Sequence, residues 1–479
     1  MRNIRTYADI EAARKAGELT SAEEKLIACS VSGTVCRFAY GPHTTPAIIG
    51  ADLLRYLITG GDTGCQVHDL GIQLIGAVIT NTLDLDYAKA KGATTLQNCH
   101  FKRCLHASNC HLNKLNLQGS YLEQGLFAQA IEVKGDIFLR KGFLARKGVS
   151  LSGAKIGGQL DCQGGLFKGG DFDALDLESV QESAFFWREI QSFSGCLNLT
   201  GAHFGILWDD AKSWTSVPVL ILVGLSYNNL PHIGEIPTRL KWLRQGGPPE
   251  GELSPHPYTQ LAKVLREMGY DHGARQVLFE KERHLANAQK QRGLDRIRAI
   301  KDAQTTPEFR QQSQQAQQNG QVELAKLREE QFFATLWSET LRRLVGYGYK
   351  PRLIFYWTGG IILAMAVLSS LTYRLGGMVP NAPVVLLSDE WGRAVIEFNP
   401  AEAWLATDAG QHYETFCALA YAADVFIPLV PLGQEVAWAP TTATRLGTVL
   451  WVLNWLVKLA GWFITALGAA AIAGVIRRE

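Results

Sequence analysis

Between Cys99 and His111 the chain places Cys99, His100, Cys104, His106, Cys110 and His111 in close succession. Thiolates and imidazoles at this density could bind zinc, but structural zinc sites draw on closely spaced pairs of the CxxC type, and no such pair occurs. Neighbouring residues of a strand point to opposite faces, which would part Cys99 from His100. The expectation is therefore no metal site, with the cysteines filling a core as small apolar residues. Dinucleotide chemistry would need a Gly-rich turn between strand and helix and an acid about 20 residues on. Gly157-Gly158 and Gly164-Gly165 lie among strands and open no helix, and GxSxG, HExxH and Walker A patterns are lacking. Asp161, Asp171 and Asp173 read as corner residues. No catalytic residue, cofactor or enzymatic activity is predicted.

Two other stretches carry charge in a suggestive pattern. Lys281, Arg283, Lys290, Arg292, Arg296, Arg298 and Lys301 outnumber Glu282 and Asp295 over one segment. Such a stripe could bind an anionic ligand, whether nucleic acid, a nucleotide or a lipid headgroup, or could simply be a solvated helix face. No aromatic residues interleave with it, which disfavours stacking on single-stranded nucleic acid. Further on, Phe416 to Leu432 is almost wholly apolar, contains Asp424, and breaks at Pro428, Pro431 and Gly433, with Glu435 just beyond. A short helix followed by a Pro/Gly turn has the layout of a pore helix and re-entrant loop, which membranes tolerate only where it is buried in protein or lines a cavity. Asp424, Pro428, Pro431, Gly433 and Glu435 are then pore-lining candidates, the two acids forming a ring suited to cations in an oligomer. The other reading is an interfacial helix on the outer leaflet.

What positions that segment is a pair of apolar runs. Leu353 to Tyr373 carries no charge, and Leu446 to Ile476 is interrupted only by Asn454 and Lys458. At 1.5 Å per residue the first reaches roughly 30 Å, the thickness of a bilayer's hydrocarbon core. Arg342, Arg343, Lys350 and Arg352 precede the first run and Arg477 and Arg478 follow the second, while acids dominate between them. The positive-inside rule puts both ends in the cytoplasm of a bacterial inner membrane protein. Trp451, Trp455 and Trp462 suit an outer interfacial belt, with Lys458 snorkelling outward. Met1 to Leu19 is polar and has no signal-like apolar core, so no secretory signal is expected.

Ahead of the spans a repeat begins at Gly71. Leucines recur at Leu74, Leu96, Leu117 and Leu139 and again at Leu177 and Leu199, with steps of 21 or 22 residues inside each run. A second apolar position follows nine residues later at Leu83, Leu105, Leu126, Phe186 and Trp208. Short alternating segments end at Gly or another small residue, which is a strand and a corner, repeated. The period is too short for helical hairpins and fits one coil of a β-solenoid, a right-handed parallel β-helix-like fold of six or seven coils. The repeat is degenerate between Gly142 and Phe172, where an irregular coil or insertion belongs. Ser21 with Glu24 reads as a helix start with a capping box, and Val217 to Val223 as a closing strand.

The resulting organisation is a helical N-terminal cap (1–62), the solenoid (63–230) and a linker (231–254) that includes Gly246 to Gly251. A helical hairpin with long polar helices (255–350) follows, and then a transmembrane domain (351–479). The spans are placed at about 353–373 and 456–476, with an external or re-entrant segment, 374–445, between them. A Gln-rich patch, Gln311 to Gln318, precedes the helix that leads into the first span.

The order of these pieces, from the Gly71–Ala77 solenoid start through the Tyr258–Lys281 helical pattern to Asp424…Pro428…Pro431-Leu432-Gly433-Gln434, resembles a family of uncharacterised bacterial membrane proteins. Members are often labelled "membrane-associated oxidoreductase", a label that no motif here supports. The solenoid also resembles pentapeptide-repeat proteins in architecture, although its period departs from multiples of five. Two functional readings follow. One is a ligand-regulated membrane effector, an oligomeric channel or pore with a sensing solenoid, suited to antiphage defence. Two helices per chain cannot enclose a pore, so it requires a homo-oligomer such as a tetramer. The other is a membrane-anchored scaffold whose solenoid docks a protein partner.

Overall fold

A computed structural model describes residues 3–39, 45–170, 173–246, 254–305, 314–428 and 430–473. The chain divides into two compact units, Met1–Ala288 and Gln289–Glu479.

The first unit is a parallel β-solenoid of about seven turns, with one eleven-stranded and two seven-stranded sheets as its faces. Each coil stacks in register on the last, Leu74 beside Leu96 and Leu105 between Leu83 and Leu126. Inward side chains alternate with outward ones, and Leu74, Leu96, Leu117 and Leu139 are fully buried. The second leucine run does not continue this column. Pairing of Phe138 with Asp161 and of Asp161 with Phe186 puts Cys162 and Trp187 in line with Leu139. Leu177 and Leu199 instead follow Leu151 on another face. The coil between Leu151 and Leu177 is longer than its neighbours, and this insertion shifts the phase of the pattern. Phe186 and Trp208 likewise leave the core, stacking on each other half-buried at 6.0 Å. One corner is left-handed in seven successive coils: Tyr87, Asn109, Ala130, Gly153, Ser179, Gly201 and Gly224 recur there with positive φ.

Both ends of the solenoid are covered by helices. Helices α1 (Tyr7–Lys15), α2 (Ser21–Ser32) and α3 (Ala51–Ile58) share residues 1–62 with strands Cys36–Arg37 and Ala47–Ile49. These strands pair in parallel with Gly71–Ile75 and Ala77–Ile79. The segment read as a helical cap therefore also begins the solenoid, and α3 interrupts its period. The capping box of α2 is formed by Thr20 and Glu23, one residue earlier than expected. The outer edge is closed by side chains, as Thr20 Oγ1 donates to the Ile48 carbonyl and Lys25 Nζ to that of Arg37.

At the far end, α4 (Ala211–Thr215) and strands Val219–Ile221 and Ser226–Asn229 complete the last coil. Helices α5 (Ile236–Gln245) and α6 (His256–Glu267) follow. The expected linker thus holds α5, which stays because Leu240, Trp242 and Leu243 are buried; residues 247–251 of the Gly/Pro run lie outside the described residues. Here Gln245 and Gln260 donate to the carbonyls of Val217 and Tyr227. Helix α7 (Asp271–Thr305) turns back from α6 at Gly269, whose φ of 83° needs a residue without a Cβ.

Among the buried polar residues of the solenoid, which include Thr94, Ser120, Asp161 and Asp209, Glu182 stands out. Register places Glu182 between Ile156 and Phe204, and it is only 6% exposed. Among the described residues neither of its oxygens has a hydrogen bond of good geometry. Burial pushes its carboxyl well above the ordinary range, offset only partly by the Leu160 N–H. Glu182→Met should therefore stabilise the solenoid by about 1–3 kcal/mol at neutral pH. The sign follows from linkage: the unfolded chain loses this proton near its ordinary pKa of 4.5, while the folded site keeps it. The parent chain therefore loses stability as pH rises from there until the folded group also ionises. Melting curves at pH 5 and pH 8 check this; a gain equal at both pH values would refute the buried-acid account.

The second unit contains the end of α7, α8 (Gln314–Val345), α9 (Arg352–Arg374) and α15 (Arg445–Ile472). Between α9 and α15 lie a two-stranded antiparallel pair, Met378–Pro380 with Trp438–Pro440, and five short helices. These are α10 (Pro383–Leu386), α11 (Asp389–Ala394), α12 (Pro400–Leu405), α13 (Ala418–Phe426) and α14 (Gln434–Ala437). Helices α9 and α15 are long and apolar enough to cross a membrane. Helix α15 starts at Arg445, where Thr444 caps it, well ahead of the expected residue 456. Arg477, Arg478 and residues 311–313 of the Gln-rich patch lie outside the described residues.

Candidate functional site

The broken segment folds back beside the two apolar helices. Tyr421, Ala422 and Val425 of α13 form one buried cluster with Met365 and Ala366 of α9 and Leu450 of α15. Asn454 of α15 donates to the Tyr421 hydroxyl at 2.7 Å. At the tip of α13 the contact is backbone to backbone: a Cβ at Gly461 would lie 2.0 Å from the Phe426 carbonyl oxygen. Gly461 is about 24 Å along α15 from its Arg445 end at the helical rise per residue. The segment therefore runs beside the apolar helices past the midpoint of α15.

Two side chains hold the turn that follows. Asp424 Oδ1 accepts the Leu432 N–H and Oδ2 the Glu435 N–H, each at 2.8 Å. These amides lie beyond the helix end that Pro428 and Pro431 enforce, and Gly433 between them has a φ of 83°. Gln434, almost fully buried, accepts the Cys417 N–H and donates to Glu414 and Thr415. The hairpin is thus clipped at both ends. Glu435 itself reaches Lys458 of α15 in an ion pair. Lys458, expected to snorkel outward, has this carboxylate beside it on a helix that begins eleven residues earlier than expected. Asp424, Pro428, Pro431, Glu435, Lys458 and Trp462 line one cavity of about 320 Å³. Four of the five pore-lining candidates are therefore brought together, with Gly433 in the adjoining turn. Sequence reasoning missed Lys458 as their partner and Gly461 as the notch that admits the hairpin; a glycine facing a proline-broken helix was the available signal.

The other candidates separate. Lys281 and Arg283 belong to the first unit, where Lys281 is buried beside Glu282 and Arg283 pairs with Glu280. Lys290, Arg292, Arg296, Arg298 and Lys301 are exposed on the part of α7 in the second unit, with Arg298 near Asp295. The cysteine–histidine stretch does not converge. Cys99 and Cys110 point into the solenoid, where burial pushes both thiols up to about 11. His100 pairs with Glu123 and stacks on Tyr121, and His106 stacks on Phe127. Among the described residues no group of three or more His, Cys, Asp or Glu could hold a metal ion.

Compared with family models, curated proteins and solved structures, the chain matches none.

Proposed function

We propose that this chain is a ligand-regulated membrane effector whose apolar helices and re-entrant hairpin build an ion path in a homo-oligomer. The observation that carries the reading is the position of the Glu435–Lys458 pair. Both side chains remain more than a third exposed, at 35% and 39%, on the outside of a unit whose apolar helices are otherwise suited to lipid. Leu363 and Val367 of α9 and Leu459 of α15, each 63% exposed or more, show that suitability. A charged pair and a proline-broken turn at bilayer depth require protein or water as neighbours. Further copies of the chain supply both, enclosing the hairpins around an axis. A simple anchor for a scaffold would need neither the hairpin nor the pair.

With Asp424 bound to two amides and Glu435 to a lysine, no free ring of acids faces an ion, which fits a closed state. Opening then exchanges the Glu435–Lys458 pair for water and cations. The solenoid and the exposed basic stretch Lys290–Lys301 are the regulatory parts, with an anionic ligand as the trigger and both chain ends in the cytoplasm. The test is reconstitution of the full chain in liposomes, with mass photometry for oligomeric state and a cation-flux assay. A ring of defined size should form and leak cations above a protein-free control, and Asp424→Asn, which keeps only one of the two amide acceptors, should change that leak by about tenfold. A monomer that passes no ions, with Asp424→Asn unchanged, would leave the scaffold reading in place.

A further inference from the structure

The second unit exposes an aromatic stripe outside the two apolar helices. On α8, Phe332, Phe333, Leu336 and Trp337 follow an i, i+1, i+4, i+5 pattern that keeps them on one helix face. All four are more than half exposed, Phe332 at 64%. A water-facing helix gains nothing from such a stripe, and contiguous apolar surface of this kind marks a partner or a membrane.

Three observations say what covers it. First, the stripe is continuous with the apolar helices, since the Trp337 ring meets Phe463 of α15 at 6.3 Å. Leu341, Leu344 and Val345 pack with Ile354 of α9 and with Leu467 and Ala471 of α15. Second, the connection from α8 to α9 is fixed. The chain reverses at Gly346–Gly348, Ser338 and Tyr347 share a hydroxyl hydrogen bond, and Trp357 Nε1 donates to the Arg343 carbonyl at 3.0 Å. The stripe is therefore held at a set place beside the Arg352 end of α9, where Phe355 and Tyr356 are also exposed. Third, the charges on its turn side are those that suit phosphate, while Glu329 and Glu330 precede it on the other. Arg342, Arg343, Lys350 and Arg352 cluster at this end against Glu339, which Arg342 and Arg343 contact.

We infer that the second half of α8 is an interfacial membrane helix. Phe332, Phe333, Leu336 and Trp337 sit at the boundary between headgroups and acyl chains, and the cations beside the turn contact lipid phosphates. Apolar area plus basic residues is the combination that binds bilayer surfaces. This rests on the proposal that α9 and α15 cross the membrane. Its consequence is mechanical: α8 links the exposed basic part of α7 to the first apolar helix through a segment that the bilayer itself holds.

The test places a benzophenone amino acid at Phe333, and separately at Leu363 on α9, in the full chain reconstituted in phosphatidylglycerol/phosphatidylethanolamine vesicles. After irradiation, lipid and protein adducts are counted by mass spectrometry. The expected result is lipid adducts at both sites, with the yield at 333 at least about half that at 363. Lipid adducts at 363 alone would overturn the inference and leave the membrane reading standing. Covalent dimers at 333 would overturn it too, assigning the face to a second copy. Lipid adducts at neither site would remove the membrane reading and the inference with it.

Discussion

Lys458→Met should destabilise the second unit in a bilayer by about 2.5–3.5 kcal/mol, because on the proposed re-entrant reading Glu435 is then left as an unpaired charge at depth. Adding Glu435→Gln should recover most of that loss, since removing both partners of an ion pair costs far less than removing one. The coupling is read from a double-mutant cycle on thermal unfolding of the full chain in lipid nanodiscs. An exposed, water-facing pair would give a coupling of roughly 0.2–1 kcal/mol. That smaller value would place the hairpin outside the bilayer, and the ion path with it.

The largest effect in the first unit is expected at its closed end. Asp209, whose side chain is fully buried, accepts from Nη1 and Nη2 of Arg239 of α5 and from the Trp214 indole N–H. Arg239 also donates to the carbonyls of His232 and Ile233, so one cation ties the strand His203–Asp209, the connecting loop and the capping helix together. Asp209→Ala strands that cation and should cost about 3–5 kcal/mol. Asp209→Ala with Arg239→Met should cost less than the single change. Urea unfolding of the full chain followed by circular dichroism measures both. A loss below about 1 kcal/mol for the single variant would show that the arginine finds water on its own.

The solenoid was legible because its signal is repetitive and local: a buried leucine at each coil reports one face directly. What the spacing could not convey was which face. The longer coil before Leu177 changes phase, so two runs that look alike belong to different columns. The N-terminal coil escaped for a similar reason, since α3 separates Cys36 from the strand it pairs with. The helix over 352–374 could be read from hydropathy alone, whereas the start of α15 at Arg445 is set by the Thr444 cap and by packing against α13. Asp424, Pro428, Pro431 and Glu435 stood out by type in an apolar segment. Their surroundings did not, because Lys458 meets Glu435, and Gly461 meets Phe426, only through a chain reversal that no short-range pattern encodes.

The side chains that close the solenoid's edges have a consequence for how copies of this chain can join. An uncovered coil presents a row of free carbonyls and amides, and a second solenoid could stack on it end to end, growing a fibre without limit. Here Thr20 and Lys25 occupy carbonyls at one end, and Gln245 and Gln260 at the other, beside the helices that cover those ends. Strand addition is disfavoured in both directions. Assembly through the remaining surfaces can then settle at a fixed copy number, which an open-ended polymer never does.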